Sequence, residues 1–364
     1  MLSIITQSNR VNKSIMKPNF TFKIKFFLLV ISSIPFTGCS GVGNPVTETE
    51  LVMGTTCSVT LYRHSGSEIF HRVFDRIKEI DRKMAVQKEE SEVSEINREA
   101  GVRAVSVSED TFRVVERAVE ISRVSGGAFD ITVGPLVQLW GIGTERAGVP
   151  EEEEIKALLP VVDYRKIQLN REELSVFLEE RGMALDLGAI AKGFAVDEAV
   201  EVLGRNGVER GIINLGGNIY AYGEKPEGKP WRIGVQNPEG KPGTYIGILE
   251  VINKTMATSG VYERYFIRDN TRYHHILDPE TGYPVRNGLE SVTVLAEDSM
   301  DADALSTAVF CLGLQAGMEL VERSDGTEAV FITDDKTVIL SSGLQGRFEL
   351  TDRDFVIGRT QIPE

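Results

Sequence analysis

The feature that most limits what this chain can fold into is an irregular succession of short alternating stretches, punctuated by turns and interrupted by segments of helical period. Cys57, Val59 and Leu61 alternate with Ser58, Thr60 and Tyr62, the period-2 mark of a half-buried strand. The same reading predicts strands at 166–169, 174–178, 183–187, 211–215, 231–235, 245–252 and 289–295. Ile69, Phe70, Val73, Phe74, Ile77, Ile80 and Met84 instead recur at helical spacing. A second helix is expected from the N-cap candidate Ser108, through Phe112, Val115 and Val119, to a stop at Gly126-Gly127, and a long one over 300–322. Hairpin-like strands mixed with helices in no regular βαβ order predict an α+β fold, with mixed, mainly antiparallel sheets flanked by helices. No internal repeat or low-complexity run is present. A weak marker at 206–211 allows a division into two lobes.

The N-terminus obeys different rules. Lys13, Lys17, Lys23 and Lys25 precede an apolar run at 26–36 that ends in Thr37-Gly38-Cys39. A basic start, a short apolar core and small residues at a cut site describe a secretory signal. The run falls short of the roughly 20 apolar residues of a membrane span. A Cys directly after the small pair resembles a bacterial lipobox, so Cys39 is expected to become the lipidated N-terminus once 1–38 is removed. Phe36 departs from the Leu usual three residues before that Cys. An uncleaved anchor is the other reading. Both place the folded part in the bacterial cell envelope, outside the cytoplasmic membrane and facing the periplasm or the cell surface, with 39–50 as a tether. Removal of 1–38 would leave the remainder more acidic than the net charge of −14 of the whole chain. With no basic stripe after the first two dozen residues, nucleic acid is excluded as a partner. At 41% hydrophobic and 26% charged the chain builds a core, so disorder is excluded as well. Cys57 and Cys311 are read as buried free thiols.

Four segments place polar groups among glycines where neither core packing nor a solvated face explains them. In the stretch from Gly126-Gly127 through Ala128, Phe129 and Asp130 to Leu136, the glycines allow close backbone approach to a ligand. Asp130 follows a helix stop, so turn capping competes with function there. In Asp186-Leu187-Gly188-Ala189-Ile190-Ala191-Lys192-Gly193, an apolar strand delivers Asp186 into a Gly-led turn before a helix begins. Such a junction offers free amides and a positive helix end to an anion, and Lys192 adds a charge suited to phosphate. The Gly-Lys-Ser/Thr ending of a Walker loop is absent, and a structural turn with a surface lysine is the bland reading. In Tyr273-His274-His275-Ile276-Leu277-Asp278-Pro279-Glu280-Thr281-Gly282, Asp278 can cap a turn. The chain has only four histidines, and a His can accept a hydroxyl proton at neutral pH. Neighbours on a strand face opposite ways, so His274 and His275 are expected to differ in role. Asp303 and Thr307, four apart, share one helix face, where a carboxylate and a hydroxyl suit a hard cation such as Mg2+. A helix start with a dipole-favoured Asp competes with that reading, and the absence of His-rich spacing argues against zinc.

Together with Met53-Gly54-Thr55, the Ser91 to Asn97 segment and Asn214-Leu215-Gly216-Gly217-Asn218, these segments occur in an order that resembles the ApbE family of FAD:protein FMN transferases, many of them lipoproteins. The resemblance covers roughly 50 to 340 and makes 51–364 the flavin transferase domain. It implies FAD contacts at Met53, Ala128, Phe129, Asp130, Asp186, Lys192 and Ile276. It also implies Mg2+ held by the Ala189 carbonyl with Asp303 and Thr307, with Asp301 or Ser306 as further candidates, and His275 as the base. Gln87 departs from an aromatic that the family often has at that position.

The activity implied is Mg2+-dependent transfer of FMN from FAD, as substrate, to a Thr or Ser hydroxyl of an acceptor protein, a membrane redox subunit by family precedent, with release of AMP. Three other readings stay open: an FAD pyrophosphatase giving FMN and AMP, a non-catalytic flavin-binding lipoprotein, and a solute-binding protein, which predicts two similar α/β lobes that the sequence lacks.

Overall fold

The computed structural model describes residues 45–62, 66–226, 228–241 and 243–358. The expected signal segment and Cys39 lie outside the described residues. The chain is already ordered at Val46, inside the stretch expected as a tether, because Val46–Val52 pairs with Thr55–Leu61 in an antiparallel hairpin. Met53 and Gly54, with φ of 52° and 69°, make the two-residue turn, in which positive φ matches the strands' own twist.

That hairpin starts a nine-stranded sheet. Its order continues through Gly211–Leu215, Asn218–Tyr222, Lys254–Gly260, Leu289–Ala296, Glu328–Thr333, Thr337–Leu340 and Val356–Ile357. Every neighbour is antiparallel except the last pair. Seven helices are described: α1 (Ser67–Met84), α2 (Glu92–Arg98), α3 (Glu109–Val124), α4 (Gly134–Trp140), α5 (Glu152–Leu158), α6 (Ala191–Arg205) and α7 (Ser299–Glu322). The expected α+β architecture with mainly antiparallel sheets is therefore present. Residues 206–211 form the tight turn from α6 into the sheet, and the described residues belong to one compact unit.

The large sheet is covered on both faces. Val292, Val294, Ala329 and Phe331 pack with α1, α3, α6 and α7, while Leu295, Val330 and Ile332 pack against a three-stranded sheet of Trp231–Gln236, Tyr245–Val251 and Phe348–Leu350. Two-sided burial removes alternation of polarity, so Glu328–Thr333 carries no period-2 signal to read. Helix α7 is long and apolar enough to cross a membrane, yet it is a core helix laid against Lys254–Gly260 and Leu289–Ala296. Gly313 breaks it at φ 79°. A third apolar cluster, Leu136, Trp140, Ile155 and Leu277, holds the hairpin Tyr265–Arg268/Thr271–His274 through stacked Phe266 and Tyr273.

The expected strand at 183–187 is extended but has no ladder. Its order comes from one parallel bridge, Val133 to Ala184, and from Asn97, whose carboxamide donates to the Leu185 carbonyl at 3.0 Å and accepts its N–H at 2.6 Å. Ser91 caps α2 by accepting the Ser94 N–H at 3.1 Å. The Ser91 to Asn97 segment thus acts as a clamp on the backbone that delivers Asp186.

Candidate active site

A cavity of about 370 Å³ opens where the expected segments converge. Phe129, Asp130, Asp186, Ala189, Lys192, His275, Ile276, Asp303 and Thr307 all line it. Met53 and Ala128 do not; Gly54, Thr55 and Phe129 beside them form the wall instead.

The central contact joins residues 111 apart in sequence. Lys192 Nζ lies 3.1 Å and 3.3 Å from the two Asp303 carboxylate oxygens and donates to the Gly188 carbonyl at 3.2 Å. The Gly193 N–H donates to Asp303 Oδ2 at 3.0 Å. The meeting depends on close approach of α6 to α7, because a Cβ on Gly193 would fall on the Ser299 carbonyl. Asp197 of α6 reinforces it by accepting the N–H groups of Ser299 and Met300, both at 2.8 Å, which satisfies two of α7's free N-terminal donors.

Besides Lys192 and the Gly193 N–H, the polar groups nearest Asp303 are oxygens. Thr307 Oγ1 lies 3.0 Å from Ser259 Oγ, which lies 2.8 Å from Ser306 Oγ. Ser306 donates to the Asp303 carbonyl at 2.8 Å. Asp301 is drawn away: Arg117 grips both its oxygens at 2.6 Å, and it does not line the cavity. Among the described residues no three His, Cys, Asp or Glu side chains form a metal-binding group. A cation beside Asp303 would therefore draw on the Thr307 hydroxyl, turn carbonyls at 188–189 and oxygens of a bound substrate, a donor set that fits a hard ion.

Two of the aspartates expected at the site do structural work. Asp130 accepts the Thr132 N–H at 2.7 Å, the Thr132 hydroxyl at 2.6 Å and the Tyr164 N–H at 2.8 Å, so both its oxygens order the surrounding loops. Burial pushes its carboxyl above the usual range, with those hydrogen bonds opposing. Asp186 accepts the Gly188 N–H at 2.8 Å and shapes the turn; burial raises it too, offset by that N–H, Arg264 and Lys192. Asp278 caps its turn through the Glu280 N–H and the Thr281 hydroxyl, both at 2.9 Å.

The two histidines part as expected. His274 is buried, with Nε2 2.8 Å from the Val285 carbonyl and Nδ1 accepting the Ile276 N–H at 3.3 Å, so both nitrogens hold backbone. His275 is half-buried at the cavity, and its Nδ1 lies 3.3 Å from the Arg264 carbonyl. A carbonyl only accepts, so that bond requires the proton on Nδ1 and leaves a lone pair on Nε2. Burial first, then the Arg264 guanidinium, push this imidazole down to about 4. At neutral pH it is an uncharged proton acceptor.

Several lining residues carry no signal in the sequence. Thr258 and Ser259 sit in Lys254–Gly260, a strand of small polar residues, and Arg264 precedes the hairpin in an unremarkable run. Asn218, only 2% exposed, ends the Gly216-Gly217 turn, and its Nδ2 finds no acceptor among the described residues. The Gly-Gly-Asn turn marked that position without revealing the side chain's direction.

The cleft joins the start of α6 to an oxygen-bearing face of α7 and an uncharged histidine, and relatives named as transferases make the chain an enzyme of that class. The chain belongs to the ApbE family, whose model matches residues 53–331. It is 39% identical over 307 residues to a FAD:protein FMN transferase of Klebsiella pneumoniae strain 342, covering 84% of this chain and 95% of that protein. A FAD:protein FMN transferase of Treponema pallidum is 36% identical over 327 residues, covering 85% of this chain and 90% of that one. The crystal structure of the ApbE protein from Thermotoga maritima superposes with a TM-score of 0.76 at 32% identity, over 84% of this chain and 99% of that one.

Proposed function

We propose that this enzyme transfers FMN from FAD to a Thr or Ser hydroxyl of an acceptor protein, leaving a phosphoester and releasing AMP. The observation that carries the reading is the junction at Lys192. It brings the Gly188 turn and the Asp303 helix within hydrogen-bond distance on the wall of a cavity that His275 also lines. The names of the relatives support the same reading.

Charge balance supports a metal requirement. Asp130, Asp186, Glu263 and Asp303 line the cavity against Lys192 and Arg264, so the side chains alone would repel a pyrophosphate. Asp303, Thr307 and the turn carbonyls would hold Mg2+, which supplies positive charge to the phosphate oxygens. The chain's own groups do the rest. The positive end of α6 would face the anion, although its Ala191, Gly193 and Phe194 N–H groups are already taken by Leu187, Asp303 and Ile190, and Gly188 leaves the turn without a side chain in the way. The acceptor hydroxyl gives its proton to His275 Nε2 as its oxygen bonds to the FMN-side phosphorus. The bond from that phosphorus to the bridging oxygen breaks, and AMP departs with the electron pair. Such transfers depend mainly on positioning and charge stabilisation.

One experiment tests this. Purified protein, FAD, Mg2+ and a candidate acceptor are mixed, and mass spectrometry follows the acceptor. The expected result is an added FMN that disappears with chelator. Asp303→Ala should need far more Mg2+ for half-maximal transfer, about tenfold or more by the usual cost of losing a charged ligand. A wild-type Mg2+ response in that variant contradicts the role of Asp303. Free FMN as the main product despite excess acceptor would instead make the enzyme an FAD pyrophosphatase.

The basic, apolar and small-residue order before Cys39 supports a lipid-anchored protein facing the periplasm. Palmitate should label the wild type in cells and not Cys39→Ser; equal labelling removes the anchor from the proposal.

A further inference from the structure

Lys192 and Arg264 are the two side-chain cations other than histidine on the cavity wall, and they are not equivalent. Lys192 is held by the Asp303 carboxylate at 3.1 Å, so much of its charge is already balanced. The Arg264 side chain is exposed, and among the described residues no carboxylate reaches ion-pair distance of it, although its charge acts at longer range on Asp186 and Glu263 of the same wall. It nevertheless belongs to a well-fixed backbone. The Arg264 carbonyl accepts both the His275 N–H at 3.1 Å and the His275 Nδ1 proton at 3.3 Å, and the hairpin that follows is packed on Trp140 through Tyr273. A guanidinium is a planar fork of donors whose geometry matches two oxygens of one phosphate. An exposed guanidinium on a fixed backbone, with no ion-pair partner among the described residues, is free to take an oxyanion that arrives with the ligand.

We propose that Arg264 is a phosphate-binding residue of this cavity: its guanidinium takes a phosphate oxyanion of the bound dinucleotide, while its carbonyl positions His275 beside that same phosphate. This rests on the proposed FAD reading and adds a residue to it. One residue thereby couples the two halves of the reaction, because its side chain fixes the electrophile and its backbone orients the base. The carbonyl survives any side-chain replacement, so the binding role can be removed while the hydrogen bond to Nδ1 is kept.

The test compares wild type, Arg264→Lys and Arg264→Met by isothermal titration with FAD, FMN, AMP and riboflavin, each with Mg2+. Arg264→Met should bind FAD about 10- to 100-fold more weakly, the usual effect of removing a charged hydrogen bond. It should lose affinity for FMN or AMP, according to which phosphate the guanidinium meets. Riboflavin, which has no phosphate, should bind wild type and variant alike. Arg264→Lys should recover part of the loss, because charge returns without the fork.

The acid limb of the transfer rate provides a second readout that a merely structural role would leave unmoved. Burial holds the His275 imidazole down first, and the Arg264 charge adds to it, followed by His274 and Lys192. Arg264→Met should therefore move that limb to higher pH. FAD affinity within twofold of wild type in Arg264→Met, with an unshifted limb, overturns the proposal. A wild type that binds neither FAD nor its fragments overturns the FAD reading itself, a separate result from failure of Arg264 alone.

Discussion

His275→Ala should reduce FMN transfer by about 10²–10⁴-fold while FAD still binds. The basis is the fixed tautomer: Nδ1–H is committed to the Arg264 carbonyl at 3.3 Å, which leaves Nε2 to accept the hydroxyl proton. The adjacent His274 cannot substitute, since both its nitrogens hold backbone groups at Val285 and Ile276. The pH dependence follows with a definite sign. A base works in its neutral form, and burial with the Arg264 charge pushes His275 down to about 4. Transfer should stay near its plateau as pH falls through 6.5, where an ordinary histidine would already be half protonated, and decline only as pH approaches 4. Single-turnover rates across pH measure both effects. Transfer unchanged in His275→Ala removes the imidazole from the mechanism, and a limb at 6.5 in the wild type contradicts the desolvated environment.

Gly193→Ala should be among the most damaging single-methyl changes in the molecule. Helix propensity alone favours alanine by up to about 1 kcal/mol, so a reading confined to α6 predicts a gain in stability. The tertiary contact predicts the reverse. The added Cβ would lie 2.6 Å from the Ser299 carbonyl carbon and 2.7 Å from Met300 Cα, backbone atoms at the start of α7 that no rotamer change can move. Overpacking of this kind costs about 1–3 kcal/mol, and the upper end applies where backbone meets backbone. A drop in Tm of roughly 5 °C or more is expected. Pushing α7 away also stretches the Gly193 N–H to Asp303 bond and the Lys192 to Asp303 contact, so Mg2+ response and transfer should fall with it. Thermal unfolding that matches the wild type, with full activity, would mean that the two helices are not in backbone contact at this point.

The sequence disclosed most where chemistry is local. Ser108 flanks α3 at its N-terminus, and the Gly126-Gly127 stop terminates the same helix. Alternation located Thr55–Leu61 and Gly211–Leu215, which have one buried and one less buried face. It failed for Glu328–Thr333, buried on both faces, and for Lys254–Gly260, where Thr255, Ala257 and Ser259 are small because α7 packs on them. It overstated 183–187, because an apolar run cannot say whether its backbone partners are a strand or the side chain of Asn97.

By itself the sequence determined the order of the segments and the residue types that they carry, since a Gly turn, a helix start or an adjacent histidine pair is fixed by a few neighbouring dihedrals. Only the tertiary structure decided what each charge does. Lys192 rests on Asp303, Asp301 is diverted to Arg117, Asp130 is absorbed into loop capping, and Arg264 stays exposed with no carboxylate at ion-pair distance among the described residues. The physical reason is range. An ionic contact is made or lost within an ångström or two, and the distance between residues 111 positions apart is set by how closely α6 packs on α7, through one missing methyl group at Gly193.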